Sequence, residues 1–157
     1  PVDEPADEPN DEPTDEPVQQ TGALNFSGVD QNGNTIDQSY FADKQVIMLN
    51  FWATWCSPCV NELPELQQLY EDYSAEGFAI IGVLVDGTVE DAASLIEENG
   101  LTYPIIAIDG DLLEMAMGYQ YVPTTVFVDS NGNALGGEHV GSNDYSGWEA
   151  VIKELLP

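Results

Sequence analysis

Cys56 and Cys59 stand two residues apart and are the only cysteines in the 157-residue chain. Thiols at this spacing can close a disulfide within one helical turn. The run before them, Val46 to Trp52, is apolar apart from Asn50 and long enough for a buried strand. After them, Val60, Leu63, Leu66, Leu69, Tyr70 and Tyr73 recur at helical spacing, and Pro58 suits a first helical turn. The pair therefore falls at a strand-to-helix junction, where unpaired amides and the helix dipole favour a thiolate on the first cysteine. That thiolate attacks a substrate disulfide, and the second thiol then resolves the mixed disulfide. Cys56, at the exposed helix end, is expected to be the nucleophile and Cys59 the resolving thiol. Zinc would need two further ligands, and the chain has one histidine, His139. Redox chemistry is favoured over a metal site.

Glu62 lies three residues beyond Cys59, so the two share a helix face. A carboxylate there can take the proton that Cys59 must lose before it resolves the mixed disulfide. The plainer alternative is a solvated helix glutamate. Trp52 and Trp55 either border a substrate groove or belong to the core, with Trp55 expected to be the more exposed. His139 reads as an ordinary strand histidine, and Met48, Met115 and Met117 as core filling.

The surrounding elements alternate. Leu24 to Val29 and Asn34 to Ile36 flank Asp30-Gln31-Asn32-Gly33, a hairpin signal. The helix after Cys59 contains Pro64, which should kink it, and ends at Gly77. Phe78 to Val85 reads as a second buried strand. A helix through Val89, Ala92, Ala93 and Ile96 stops near Asn99-Gly100. Tyr103 to Ile108 is a short strand, and Asp111 to Met117 a helical turn. Thr124 to Val128 and Ala134 to Val140 flank Asn131-Gly132 as an antiparallel hairpin. Trp148, Val151, Ile152, Leu155 and Leu156 form one face of a last helix. Strands alternating with helices give an α/β sheet covered on both faces.

Composition narrows the possible functions. There are 29 acidic residues against two lysines and no arginine, for a formal net charge of -27. Phosphate backbones are bound by cations, which speaks against nucleic-acid binding, and an anionic membrane surface would repel the domain. Residues 3–18 read DEPA, DEPN, DEPT, DEPV, a repeat with eight acids and no core-forming pattern. Its prolines favour extended backbone, as in a spacer. Residues 1–21 are expected to be a disordered acidic linker and residues 22–157 the folded domain. No apolar run is long enough for a transmembrane helix. The chain begins at Pro1 rather than Met, so it reads as a processed or truncated form.

Asn50-Phe51-Trp52-Ala53-Thr54-Trp55-Cys56-Ser57-Pro58-Cys59 resembles the active-site segment of the thioredoxin superfamily. Three features resemble its extracytoplasmic TlpA/ResA/CcmG branch, which is grouped with the AhpC/TSA redoxins. Asn50 stands where cytosolic thioredoxins carry a buried aspartate, Glu62-Leu63-Pro64 follows Cys59, and Phe78 to Ile108 looks like the branch's inserted element. The resemblance implies a thioredoxin-like fold: a central mixed β-sheet with helices on both faces, an N-terminal β-hairpin and an inserted strand–helix element. It implies a cis Val122–Pro123 bond facing the cysteines, with Val122 offering its backbone to an extended substrate. Trp55, Ser57, Pro58, Val122 and Pro123 are then expected to contact substrate.

The expected activity is thiol–disulfide exchange on protein substrates, with no cofactor beyond the dithiol and no metal. Reduction is the expected direction, because Ser57-Pro58 offers no cation and Glu62 and Glu65 are anionic, so only the helix dipole favours a Cys56 thiolate. The branch implies electrons from a membrane dithiol carrier and a secreted, periplasmic or membrane-anchored protein, for instance a lipoprotein. A non-catalytic copper chaperone or adaptor is the alternative. Peroxide reduction is disfavoured: it needs a threonine three residues before the cysteine and an arginine, whereas Thr54 is two before Cys56 and arginine is absent. Deleting residues 1–20 should change unfolding free energy by less than about 0.5 kcal/mol, as exposed sites do, and leave reductase activity unchanged; urea denaturation and a turnover assay check both.

Overall fold

The computed structural model of the chain describes residues 24–157, so the acidic repeat and the expected boundary after residue 21 lie outside the described residues. The hairpin forms from β1 (Ser27–Val29) and β2 (Thr35–Asp37), with Gly28 opposite Ile36. The main sheet has the order β5-β4-β3-β6-β7. In it β3 (Val46–Trp52), β4 (Phe78–Leu84) and β5 (Ile105–Ala107) run parallel. The strands β6 (Thr124–Val128) and β7 (His139–Val140) run antiparallel.

Every residue of β3 and β4 is buried, as continuous apolar strands in the middle of a covered sheet must be. Their side chains alternate between two cores. Val46, Met48, Trp52, Ile80 and Leu84 meet α1 (Ser57–Tyr73), α2 (Ala93–Glu98) and α4 (Tyr145–Leu155) through Leu63, Leu66, Ile96, Trp148 and Ile152. Ile47, Leu49, Phe51, Ile81 and Val83 meet the hairpin through Ile36, the 3-10 turn Gln38–Phe41, and α3 (Gly110–Ala116) through Leu112. Each such buried side chain contributes about 1.5–3 kcal/mol. No helix among the described residues is long and apolar enough to cross a membrane.

The helix α1 runs for 17 residues through Pro64, as its apolar spacing predicts, while two other details differ from expectation. Pro64 removes one amide donor, but Leu63, Leu66 and Leu69 on the buried face keep the flanking turns on the sheet. The second hairpin is broken: only His139 and Val140 pair with Thr125 and Thr124, plus one bridge between Val128 and Ala134. Gly136 and Gly137 interrupt the strand between them, Gly136 at a φ of 78°. Of the methionines, Met48 is core, but Met117 is 78% exposed.

The hairpin and α3 are tied together. Asn25 N donates to Asp111 Oδ2 and Asp111 N donates to the Asn25 carbonyl, both at 2.8 Å. Ser27 N donates to Asp109 Oδ2 at 2.9 Å. Gly110, at a φ of 55°, makes the close approach possible; a Cβ there would strike the Asn25 carbonyl oxygen. Gly110→Ala should therefore destabilise the fold by about 1–3 kcal/mol through overpacking, with left-handed strain adding to it; the loss is read as a lowered urea midpoint at unchanged slope.

Candidate redox site

Cys56 ends the turn after β3 and caps α1. Its Sγ accepts from Cys59 N at 3.2 Å, and the two cysteines form a disulfide with Cα atoms 5.2 Å apart. The Val122–Pro123 bond is cis, and the Val122 carbonyl oxygen lies 3.5 Å from Cys56 Sγ. The first turn of α1 contains no acidic residue, so its free amides face the sulfur without competition.

The sulfurs are more covered than the expected exposed helix end. Cys56 is 4% exposed and Cys59 1%. Ser57 and Pro58 are exposed beside them, and Trp55 stands 72% exposed while Trp52 is wholly buried. A groove of about 350 Å³ opens next to this edge, lined by Phe51, Trp55, Val85, Tyr119, Tyr121 and Val122 among others. A larger cavity of about 860 Å³ lies between the hairpin turn and α2, and its lining includes none of the expected site residues.

Glu62 is not a solvated helix residue. It is 2% exposed. Its Oε2 accepts from Trp148 Nε1 at 2.8 Å and from Asn143 N at 2.9 Å. Its Oε1 accepts from Asn50 Nδ2 at 3.3 Å, and the same Asn50 amide donates to Thr125 Oγ1 at 3.0 Å. Burial pushes the Glu62 carboxyl above its ordinary value of 4.5, and the three hydrogen bonds oppose that rise. Cys59 and Glu62 share the buried face of α1.

Sequence reasoning missed several supports. Asp86, just after β4, accepts from Thr54 N at 3.1 Å and from Thr54 Oγ1 at 2.8 Å. It thereby pins the turn that carries Trp55 and Cys56. Its signal was weak: one acid among many, with a partner 32 residues away. Asn143 and Trp148 became visible as Glu62 partners only once α4 was placed against α1. Glu65, one turn beyond Glu62, accepts from Tyr145 N at 2.8 Å and so holds the start of α4. His139 sits edge-on to Phe127 and Trp148, with ring centroids 5.5 Å from each.

A dithiol pair at a helix N-terminus, facing a cis-proline turn on this sheet, defines a thiol–disulfide oxidoreductase with a thioredoxin-like fold. The AhpC/TSA family model matches residues 20–134, and the chain belongs to that family. The thiol-disulfide oxidoreductase ResA of Bacillus anthracis is 30% identical over 135 residues, covering 86% of this chain and 77% of that protein. ResA of Oceanobacillus iheyensis is 39% identical over 104 residues, 66% of this chain and 53% of that one. Among solved structures, a thiol:disulfide interchange protein of the thioredoxin family from Chlorobium tepidum superposes with a TM-score of 0.77 at 26% identity, covering 90% of this chain and all of that one.

The raised Glu62 carboxyl has a consequence for stability. The folded state holds the Glu62 proton more tightly than the unfolded chain, so the associated stability is present below about pH 4.5 and is lost as pH rises through the folded value. Measured by urea denaturation between pH 4 and 8, the stability of wild type relative to Glu62→Gln should fall as pH rises through this window. A difference that is flat with pH would show that the carboxyl is unperturbed.

Proposed function

We propose that the chain is a disulfide reductase working outside the cytoplasm on protein substrates, its dithiol recharged by a membrane dithiol carrier. The observation that carries the direction is the charge around Cys56. Apart from helix amides, the groups near it are neutral or anionic. Of the two lysines, Lys44 is paired with Asp43 and Lys153 lies 3.9 Å from Glu149. A strong oxidant needs an unusually stable thiolate, and this site lacks the cation that would supply one.

In the reductive half-reaction the Cys56 thiolate attacks one sulfur of a substrate disulfide. The new Cys56–substrate bond forms as the substrate S–S bond breaks, and the first substrate thiolate leaves. Cys59, deprotonated, then attacks Cys56 Sγ. This closes the Cys56–Cys59 disulfide, releases the second substrate thiolate, and transfers two electrons in all. Val122, Pro123, Trp55, Ser57 and Pro58 border the approach. Glu62 takes the Cys59 proton. Its Oε2 is occupied by two donors, whereas Oε1 receives only the longer bond from Asn50, so Oε1 is the oxygen with room for the proton. Burial raises its basicity toward the working range of a general base. The chemistry requires no group beyond the dithiol. The acidic Pro-rich residues 1–21 serve as a spacer that holds the domain away from its attachment.

Exchange kinetics of the reduced protein with a model protein disulfide test this reading. Limiting iodoacetamide should label Cys56 first. Cys59→Ser should trap the mixed disulfide on Cys56, and Glu62→Gln should slow its resolution by about 10²-fold, the low end for a positioned base, with the loss shrinking as pH rises and Cys59 ionises unaided. Preferential labelling of Cys59 overturns the roles of the two thiols. An unchanged Glu62→Gln rate from pH 6 to 9 removes the relay.

A further inference from the structure

The edge of the redox site has two properties that thiol exchange itself does not require. The first is apolar surface left in water. Leu113 and Met117 lie one turn apart on the outer side of α3 and its C-cap, 47% and 78% exposed. Ala116 between them lines the groove beside the disulfide. Tyr121, 67% exposed, and Trp55 stand at that groove too. Trp55 and Tyr121, both large and exposed on the lining of one groove, mark a surface that another molecule covers, and Leu113 and Met117 extend exposed apolar surface along the helix that contributes Ala116.

The second property is charge of one sign. Asp86 stands behind the Trp55 turn through its bonds to Thr54. Glu138 is near enough to Tyr119, a groove residue, to help burial push its hydroxyl up to about 12. Neither lysine relieves this field: Lys44 lies against Asp43 and the Tyr40 ring, and Lys153 is on α4 beside Glu149. A low-dielectric groove with an acidic rim concentrates cations.

We propose that the substrate segment is a cationic, extended stretch of polypeptide with a large apolar side chain beside its reactive cysteine. The apolar side chain enters the groove against Tyr121 while the chain crosses Val122, and lysines or arginines meet the acidic groups beside it. This rests on the reductase reading of the same site and adds the chemistry of its substrate.

The test is single-turnover reduction by the reduced protein, followed by intrinsic tryptophan fluorescence. The probes are three synthetic peptides, each closed by one intramolecular disulfide. One carries Phe and two Lys next to the attacked cysteine, the second replaces both Lys by Glu, and the third replaces Phe by Ser. Bis(2-hydroxyethyl) disulfide serves as a small neutral reference. At low ionic strength the Lys peptide should react at least about tenfold faster than the Glu peptide, within the range of electrostatic steering, and the ratio should collapse toward one in 1 M salt. The Phe peptide should outpace the Ser peptide by about fivefold, as expected for partial burial of one apolar side chain. In Tyr121→Ser, which removes a large exposed side chain from the groove lining, the Phe preference should shrink while the Lys preference stays. Equal rates for the Lys and Glu peptides, or a Phe preference unmoved by the Tyr121 substitution, overturns the proposal. No turnover of any of the four disulfides removes the reductase reading, and the proposal with it.

Discussion

A carboxylate that is 2% exposed must be solvated by the protein around it, and Glu62 sets that requirement for this fold. Its partners come from three places: Asn50 in the middle of β3, Asn143 before α4, and Trp148 within α4. Meeting the requirement fixes α1 on the sheet and α4 on α1 at once. Glu65 repeats the logic one turn later through the Tyr145 amide. The position of Cys59, one turn before Glu62, and of Cys56 at the helix cap follow from that clasp. An unpaired buried carboxylate would cost several kcal/mol, so the polar island in an otherwise apolar layer is held together by the penalty for breaking it.

Much of this was legible in the sequence, because the signals were local. The long apolar runs of β3 and β4, broken in β3 only by Asn50, match those strands nearly to the residue. The cysteine spacing and Pro58 gave the start of α1, and the family resemblance carried the cis bond at Pro123. What failed depended on partners distant in the chain. The run from Ala134 to Val140 looked like one strand by alternation, but Gly136 and Gly137 release the chain between two short pairings. Met117 was assigned to the core by residue type, whereas its place just past α3 turns it to solvent.

The Glu62 environment shows the same limit. Helical spacing placed Glu62 on the Cys59 face but could not say whether water reached it. That depended on Trp148, 86 residues away, folding back over α1. Asp86 was harder still. In a chain with 29 acids, one more aspartate carries no information until its carboxylate is seen to hold the Thr54 amide and hydroxyl.

The cover over the two sulfurs acts as insulation. With 4% and 1% of the cysteines exposed, an attacking thiolate has little room to approach, and Trp55 and the Val122 carbonyl stand at that edge. Free thiols of low molecular weight are commonly anionic, and they meet an acidic surface on the way in. A partner that docks can hold its sulfur at that edge, whereas a thiol arriving by random collision reaches it far less often. The oxidation state of the pair is then governed by which proteins engage it rather than by the average poise of the surrounding medium. In this way a two-electron carrier can stay out of equilibrium with its compartment and keep its electrons for chosen acceptors.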